Sequence, residues 1–163
     1  MQESNDIVQQ LGRRMQRLGR RLVTAESCTG GRIAAAITDV PGCSAWFERG
    51  FVTYSNASKS ELLAVPPALI LQEGAVSEAV VLAMVRGAIQ CSHADVAIAV
   101  SGIAGPDGGS PEKPLGTVWM AWMVAPAPAC AAHYIYQGDR ASVRGQACRD
   151  ALLGLLQFLA VEP

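Results

Sequence analysis

The chain has 163 residues, half of them apolar, and a formal net charge of −1. This length suits one compact domain with its own hydrophobic core, which we expect to span residues 1–163. The near-neutral charge argues against nucleic acid as a partner, because DNA-binding proteins usually carry a strong basic excess. No apolar run approaches the roughly 20 residues that cross a bilayer, and the first residues lack the apolar core of a signal peptide. We therefore expect a cytoplasmic protein without membrane contact.

Cysteine and histidine usage indicates neither a disulfide framework nor a metal centre. The chain has five cysteines, an odd number, and no two of them have CxxC spacing. This pattern is typical of reduced, mostly buried thiols. The two histidines, His93 and His133, have no cluster of other ligand residues near them in the sequence. We therefore expect no disulfide and no bound metal.

The N-terminal segment predicts an amphipathic helix. Apolar residues recur at helical spacing between Ile7 and Leu22, and Ser4 or Asp6 could cap the first turn. The opposite face of this helix is rich in arginine. Such a face is compatible either with an acidic partner or with ordinary solvation, and the sequence leaves both open.

Two strands and two helices follow. The run "RLVTAES", residues 21–27, predicts a buried strand, and a helix then begins near Thr29 and ends at "PGC". The aromatic and β-branched run from Trp46 to Ser55 predicts a second strand. A short helix begins at a cap, Asn56 or Ser58, and the proline pair that follows breaks it.

The second half of the chain predicts a helix, three strands and a final helix. Ser77 caps the first of these helices, and the short apolar run from Ala94 to Gly102 is typical of a central strand. Two further strands, residues 116–124 and 130–138, are close enough along the chain to pair as a hairpin. The last helix runs from Arg140 to about Leu159.

The order of these elements, α-β-α-β-α-α-β-β-β-α, predicts an α/β fold. Helices must cover both faces of a sheet of about five strands. The hairpin makes that sheet mixed, because its two strands run antiparallel. We therefore expect a single three-layer α/β/α domain.

Polar residues gather where the first strand meets the second helix, in "VTAESCTGGR", residues 23–32. One interpretation places a nucleophile, Ser27, at the strand end, beside helix N-terminal N–H groups that can hold a phosphate or an oxyanion. The glycines would then let a ligand approach the backbone. The alternative is a plain helix start, in which Ser27 or Thr29 caps the helix and the glycines form a turn.

The segment "TYSNASK" supplies a candidate general base. Tyr54 and Lys59 flank a turn at a helix start, and the chain holds only two lysines against eleven arginines. An amine can lose its proton whereas a guanidinium cannot, and a desolvated lysine can serve as the base for a serine. The alternative is an exposed surface lysine. Because neither His93 nor His133 lies in a Gly-rich loop, Lys59 is the better candidate base for Ser27.

Two further stretches are candidates for ligand binding. The loop Ser101–Thr117 is dense in glycine and proline, and such long loops in compact domains are usually functional. It matches neither the Walker A nor the dinucleotide fingerprint, which weakens an ATP or dinucleotide function. Arg140 and Arg144 lie four residues apart on one face of the last helix and suit a phosphate or a carboxylate. The alternatives are a mobile surface loop and an ordinary helix surface.

Four motifs in this order resemble the CinA C-terminal domain family: "TAESCTGG", "WFERGFVTYSNASK", "GAVSE" and "SGIAGPDGGSPEKPLGTVW". The similarity runs from about Leu11 to Leu159. The family includes nicotinamide-nucleotide amidases, which hydrolyse nicotinamide mononucleotide (NMN) to nicotinate mononucleotide and ammonia in pyridine nucleotide salvage. Longer members carry an additional N-terminal domain, and this chain is similar to the stand-alone form.

The resemblance implies a serine amidohydrolase that uses neither a metal nor a cofactor. It implies Ser27 as nucleophile and Lys59 as base, with Tyr54 as a proton relay. The Gly-rich loop would cover the nicotinamide and the ribose, and we infer that Arg140 or Arg144 binds the phosphate. The expected substrate-binding residues are Glu26, Cys28, Thr29, Gly30, Gly31, Asn56, Ser101, Gly102, Gly105, Arg140 and Arg144.

Two other functions stay open from the sequence. One is a regulatory module, linked to competence or the DNA damage response, that senses a nucleotide without converting it; such a module would need no base beside a serine. The other is a Ser/Lys hydrolase for a different amide or phosphorylated compound, because pocket shape sets specificity. The apolar content and the "WMAWMV" strand also lead us to expect a homo-oligomer.

Overall fold

A computed structural model of the protein describes residues 2–161, in which six α-helices surround a five-stranded sheet. The strands are β1 (Leu22–Glu26), β2 (Phe47–Val52), β3 (Val96–Gly102), β4 (Thr117–Val124) and β5 (Cys130–Ile135). The helices are α1 (Gln2–Leu18), α2 (Arg32–Thr38), α3 (Asn56–Leu63), α4 (Pro67–Glu73), α5 (Glu78–Gln90) and α6 (Arg140–Val161). A short 3-10 turn, Cys43–Ala45, precedes β2.

The sheet is mixed and has the strand order β2-β1-β3-β4-β5. β1 pairs parallel with β2 and with β3, whereas β4 is antiparallel to both β3 and β5. The predicted mixed sheet and the predicted final hairpin are therefore confirmed. From β1 the chain crosses first to β2 on one side and later to β3 on the other side. The direction in which strands are added to the sheet therefore reverses at β1. Ligands of open α/β sheets bind at the carboxyl ends of strands at such a point.

Helices cover both faces of the sheet, which confirms the three-layer prediction. α1, α2 and α6 pack on one face, over large side chains such as Ile98 and Met120. α3, α4 and α5 pack on the other face, where Ala97 and Ala99 let α5 approach the sheet closely. Within residues 2–161, no helix combines the length and the apolar character that crossing a membrane requires.

Two helix starts differ from the prediction. Ser4 and Asp6 lie inside α1, so neither residue caps it. α2 begins at Arg32, three residues later than predicted, because Gly30 and Gly31 adopt left-handed φ angles of 59° and 93°. A right-handed helix cannot include these conformations, and the two glycines therefore form a turn before it.

The region around the proline pair also departs from the prediction. Ser55 caps α3 in place of Asn56 or Ser58, and its Oγ accepts the N–H of Ser58 at 3.1 Å. The predicted break at Pro66–Pro67 is correct, but Pro67 also begins α4, a helix that the sequence pattern did not predict. Proline suits the first helical position because the N–H that it lacks would have no partner there.

The strands are shorter than predicted, while the predicted cap at Ser77 is confirmed. β2 begins one residue later, at Phe47, and β5 ends at Ile135. Ser77 caps α5, and the carboxylate of Asp139 accepts an N–H from the first turn of α6 at 2.8 Å. Backbone pairing ends where the chain turns toward the next element, and sequence patterns locate such ends poorly.

Replacing Gly87 by alanine is expected to destabilise the fold by about 2 kcal/mol or more, because overpacking strains a close-packed interface. A Cβ at this position of α5 would lie 1.8 Å from the carbonyl oxygen of Leu63, a backbone atom that cannot move aside freely. Gly145→Ala is the matched control, since nothing lies within 4 Å of a Cβ there. Urea midpoints measure both variants; equal midpoints would contradict the α3–α5 packing described here.

Candidate active site

Ser27 follows β1 directly and lies at the carboxyl end of the sheet, where the strand order reverses. Its backbone N–H donates to the carbonyl of Val100 over 2.9 Å, which continues the β1–β3 ladder by one residue. The preceding side chain, Glu26, is fully buried, and its carboxylate accepts the N–H groups of Ile33 and Ala34 at 2.9 and 3.0 Å. Glu26 thus satisfies the start of α2, and the expected cap by the serine or the threonine of this corner does not occur.

Lys59 contacts the Ser27 hydroxyl directly. The capped start of α3 places this side chain one turn into the helix, where its Nζ lies 3.0 Å from Ser27 Oγ. Nζ also donates to the carbonyls of Thr53 and Tyr54 at 2.9 and 3.3 Å. The side chain is only 1% exposed. The alternative of a surface lysine is therefore wrong.

The surroundings of Lys59 favour its neutral amine. Burial lowers the pKa of Lys59 below its ordinary value of 10.5, and the nearby Cys28 opposes this effect. None of the ion pairs among residues 2–161 includes Lys59, so no carboxylate stabilises its charged form directly. An amine with a lowered pKa, in hydrogen-bond contact with a hydroxyl, is equipped to remove the hydroxyl proton.

The Cys28 thiol is a poor competitor for the nucleophilic role. Cys28 is buried, and this burial raises the pKa of its thiol to about 11. The thiolate is the nucleophilic form, so at neutral pH nearly all of this thiol is in its unreactive state. Ser27 Oγ, in contrast, lies within hydrogen-bond distance of the Lys59 amine.

A cavity of about 270 Å³ opens above Ser27 and Lys59. Nine of the sequence-predicted site residues line it: Ser27, Cys28, Tyr54, Asn56, Lys59, Ser101, Gly102, Gly105 and Arg140. Larger depressions of about 630 and 530 Å³ lie beside Trp119 and along α3–α4, respectively. The Ser27–Lys59 contact lies at the smaller cavity, which is therefore the candidate active site.

Tyr54 and Arg140 meet at the mouth of this cavity. Tyr54 is 59% exposed, and its hydroxyl accepts a hydrogen bond from Arg140 Nη2 at 3.0 Å. Arg140 Nη1 donates to the carbonyl of Gly105 at 2.8 Å, so the same guanidinium also holds the Gly-rich loop. No hydrogen bond among residues 2–161 joins the Tyr54 hydroxyl to Ser27 or Lys59.

Five other predicted binding residues lie outside the cavity lining: Glu26, Thr29, Gly30, Gly31 and Arg144. Arg144 is turned toward the backbone of the corner, where Nε donates to the Cys28 carbonyl at 2.9 Å and Nη2 to the Thr29 carbonyl at 3.0 Å. Arg140 and Arg144 thus share a helix face but serve different carbonyls. The two guanidinium groups do not converge on one ligand position.

The α4–α5 loop also contributes to the cavity, although its residues were not among the predicted binding residues. Ala75 and Val76 line the cavity, and Ser101 Oγ donates to the Ala75 carbonyl at 2.8 Å. Asp107 and Gly108 of the Gly-rich loop line it as well. Ala75 and Val76 belong to the motif "GAVSE", which was one of the four motifs of the family resemblance. Their place at the cavity follows only from the tertiary contact between Ala75 and Ser101.

Comparison with known proteins identifies the family of this chain and agrees with the fold. A family model, described as the CinA C-terminal domain, matches residues 4–159. The chain belongs to the CinA C-terminal domain family. The predicted resemblance is therefore confirmed over nearly the whole chain.

CinA relatives with curated names cover this chain almost completely. Nicotinamide-nucleotide amidohydrolase PncC of Pseudomonas putida is 57% identical over 91% of this chain and 92% of its own length. The protein of the same name from Escherichia coli K12 is 49% identical over 95% of this chain and 94% of its own length. The crystal structure of the competence damage-inducible protein A (ComA) from Klebsiella pneumoniae has a TM-score of 0.94 at 38% identity, covering 98% of this chain and 99% of that chain.

Proposed function

We propose that this protein hydrolyses the carboxamide of NMN to give nicotinate mononucleotide and ammonia. The observation that carries the proposal is the 3.0 Å contact between Lys59 Nζ and Ser27 Oγ in a cavity at the sheet's carboxyl edge. The names of the Pseudomonas putida and Escherichia coli relatives support the substrate. A nucleotide-sensing module would have no use for a buried amine placed against a hydroxyl.

In the proposed acylation step, Ser27 Oγ attacks the carboxamide carbon while its proton passes to neutral Lys59. A C–O bond forms, and the carbonyl electron pair moves onto oxygen to give a tetrahedral oxyanion. As this intermediate collapses, the C–N bond breaks and the lysine ammonium returns its proton to the departing nitrogen. Ammonia leaves, and an ester remains on Ser27.

The oxyanion needs hydrogen-bond donors that the fold has not already used. The Ser27 N–H is committed to the Val100 carbonyl, so it is not available. The N–H of Cys28 donates to no backbone carbonyl among residues 2–161, and Cys28 lines the cavity. The N–H of the residue after a nucleophile is a common oxyanion donor in serine hydrolases. We assign this role to the Cys28 amide.

In the proposed deacylation step, water attacks the ester carbon while Lys59 accepts a proton from the water. The C–O bond to Ser27 then breaks, the proton returns from Lys59 to Ser27 Oγ, and nicotinate mononucleotide leaves. Every proton transfer thus uses one amine, whose lowered pKa suits both directions of transfer. The proposed steps use neither a metal nor a cofactor.

Product analysis tests the proposed function. Purified protein, treated with a chelator, is incubated with NMN, and chromatography follows the nucleotides while a coupled assay follows ammonia. The proposal predicts nicotinate mononucleotide and ammonia in equal amounts. Binding of NMN without any turnover would contradict it and would favour the nucleotide-sensing module.

Arg140→Met is expected to raise KM for NMN by about 10- to 100-fold with a smaller effect on kcat, as for loss of a charge-assisted hydrogen bond. We assign the substrate phosphate to Arg140, because its guanidinium lies at the cavity mouth between Tyr54 and the Gly-rich loop. Arg86→Met, on the exposed face of α5, is the matched control. An unchanged KM in Arg140→Met would contradict the assignment, and steady-state kinetics measure it.

The activity is expected to depend on pH through Lys59. Below the pKa of this amine the lysine is protonated and cannot accept the Ser27 proton, so kcat/KM falls as the pH falls. Because burial lowers the pKa of Lys59, this acid limb lies below the 10.5 of an ordinary lysine. A pH–rate profile between about pH 6 and pH 10 measures the limb. A profile that falls as the pH rises through this range would contradict the role of Lys59.

We further propose a cytoplasmic homo-oligomer that acts in pyridine nucleotide salvage. Leu71 is 89% exposed, and Leu62 and Ile135 are 45% and 50% exposed. Burial against a second copy would remove this exposure. Light scattering of the purified protein tests the oligomeric state, and a monomer mass would contradict it.

A further inference from the structure

Three successive carbonyls of the corner, those of Ser27, Cys28 and Thr29, accept hydrogen bonds. The Ser27 carbonyl accepts the N–H of Gly30 at 3.0 Å, which closes a turn. The Cys28 carbonyl accepts Arg144 Nε at 2.9 Å, and the Thr29 carbonyl accepts Arg144 Nη2 at 3.0 Å. One guanidinium from α6 therefore holds two successive peptide groups of the loop that carries the candidate nucleophile.

These contacts fix where the amide N–H groups of the corner point. The carbonyl and the N–H of a planar trans peptide point in opposite directions. The turn bond to Gly30 fixes the peptide between Ser27 and Cys28, and with it the Cys28 N–H. Arg144 fixes the next peptide, which sets the backbone of Cys28 on its other side. With both flanking peptides held, the Cys28 amide cannot rotate away from its place beside Ser27.

The local sequence alone would not hold this corner rigidly. Gly30 and Gly31 have left-handed φ angles and no side chains, so the segment has more conformational freedom than most turns. A Cβ on Gly30 would lie 3.0 Å from Arg144 Nη2, which shows how closely the guanidinium approaches this backbone. None of the ion pairs among residues 2–161 includes Arg144, so its donors are directed to the corner and not to a carboxylate.

We propose that Arg144 is a positioning residue that holds the oxyanion-binding amide of Cys28 in place. This inference rests on the proposed function, and it replaces the expectation that Arg144 binds the substrate phosphate. Arg144 does not line the cavity, whereas Arg140 does. Arg144 thus acts on the transition state through the backbone and has no contact of its own with the ground-state substrate.

A split between kcat and KM distinguishes this role from phosphate binding. Arg144→Met removes both bonds to the corner and is expected to lower kcat for NMN by about 100-fold, comparable with losing one oxyanion donor, while KM stays within about threefold. Arg144→Lys keeps one donor and is expected to recover about tenfold of that loss. Gln146→Met removes the bonds to the carbonyls of Gln137 and Ser142 but none to the corner, and serves as the control with unchanged kcat.

A second readout does not depend on the substrate. A fluorophosphonate reagent reacts with an activated serine: the Ser27 O–P bond forms, the P–F bond breaks, fluoride leaves and Lys59 takes the proton. The developing charge on the phosphoryl oxygen needs the same amide, so Arg144→Met is expected to slow this labelling by a factor similar to the loss in kcat. Mass spectrometry of the Ser27 peptide measures the rate, and a urea midpoint checks that each variant folds.

Each outcome decides the inference. Reduced kcat and reduced labelling with unchanged KM would support it. A raised KM with unchanged kcat in Arg144→Met would overturn it and would indicate that Arg144 binds the phosphate. Unchanged labelling rates in folded Arg144→Met and Arg144→Lys would overturn it as well. If wild-type protein is labelled at Ser27 but does not convert NMN, the proposed substrate fails while the labelling rates still test Arg144. If wild-type protein shows neither reaction, both proposals fail.

Discussion

Ser27→Ala is expected to lower kcat for NMN hydrolysis by about 10⁴-fold or more, which is the order of loss when a serine hydrolase loses its nucleophile. The variant keeps the cavity and the Lys59 amine but has no oxygen that can form the ester. KM is expected to change little, since the hydroxyl contributes mainly to the transition state. Ammonia release under saturating substrate measures the loss.

Cys28 supplies the matched control for this variant. Cys28→Ala removes the adjacent side chain but keeps the backbone N–H to which we assign oxyanion binding. Because burial raises the pKa of the thiol to about 11, we expect no catalytic role for the sulfur and a change in kcat of less than about tenfold. Loss of activity in Cys28→Ala together with retained activity in Ser27→Ala would move the nucleophile to the thiol.

Lys59→Met is expected to lower kcat by about 10³- to 10⁴-fold, the upper part of the range for a general base. Methionine fills a similar volume but cannot accept a proton from Ser27 Oγ. Lys59→Arg separates proton transfer from charge, because a guanidinium keeps its proton under all assay conditions. Both variants are expected to be inactive. Substantial activity in Lys59→Arg would show that the residue supplies only a positive charge.

The lowered pKa of Lys59 also has a consequence for folding that is independent of activity. Lys59 binds a proton less tightly in the folded chain than in the unfolded chain, so the folded state holds fewer protons between its own pKa and 10.5. Wild-type stability therefore rises with pH across this window relative to Lys59→Met, which lacks the group. Urea unfolding of both proteins at about pH 7 and about pH 9.5 measures the difference. A fall in wild-type stability relative to Lys59→Met as the pH rises would contradict burial of the neutral amine.

The sequence predicted the proposed nucleophile and the proposed base because their residue types were unusual for their positions. Ser27 follows a buried strand where a polar side chain has no packing role, and Lys59 is one of two lysines in a chain with eleven arginines. Both signals are local. The prediction of a three-layer fold with a mixed sheet likewise depended on periodicity within each element, and it is confirmed.

The roles of the two arginines could not be predicted in this way. Arg140 and Arg144 share a helix face, but four residues of helix separate them by about 6 Å along its axis. One guanidinium therefore reaches Gly105 and the other reaches Cys28, which only the packing of α6 against the corner determines. Similarly, α4 was missed because the proline pair after α3, predicted only as a helix break, begins the next helix.

The covalent intermediate is the most direct test of the account. Wild-type protein is mixed with NMN, quenched in acid at short times and digested, and the peptides are analysed by mass spectrometry. We expect the nicotinoyl mononucleotide group to appear as an ester on Ser27 before steady-state turnover begins, and to be absent from Ser27→Ala. The same group on the Cys28 sulfur would contradict the account.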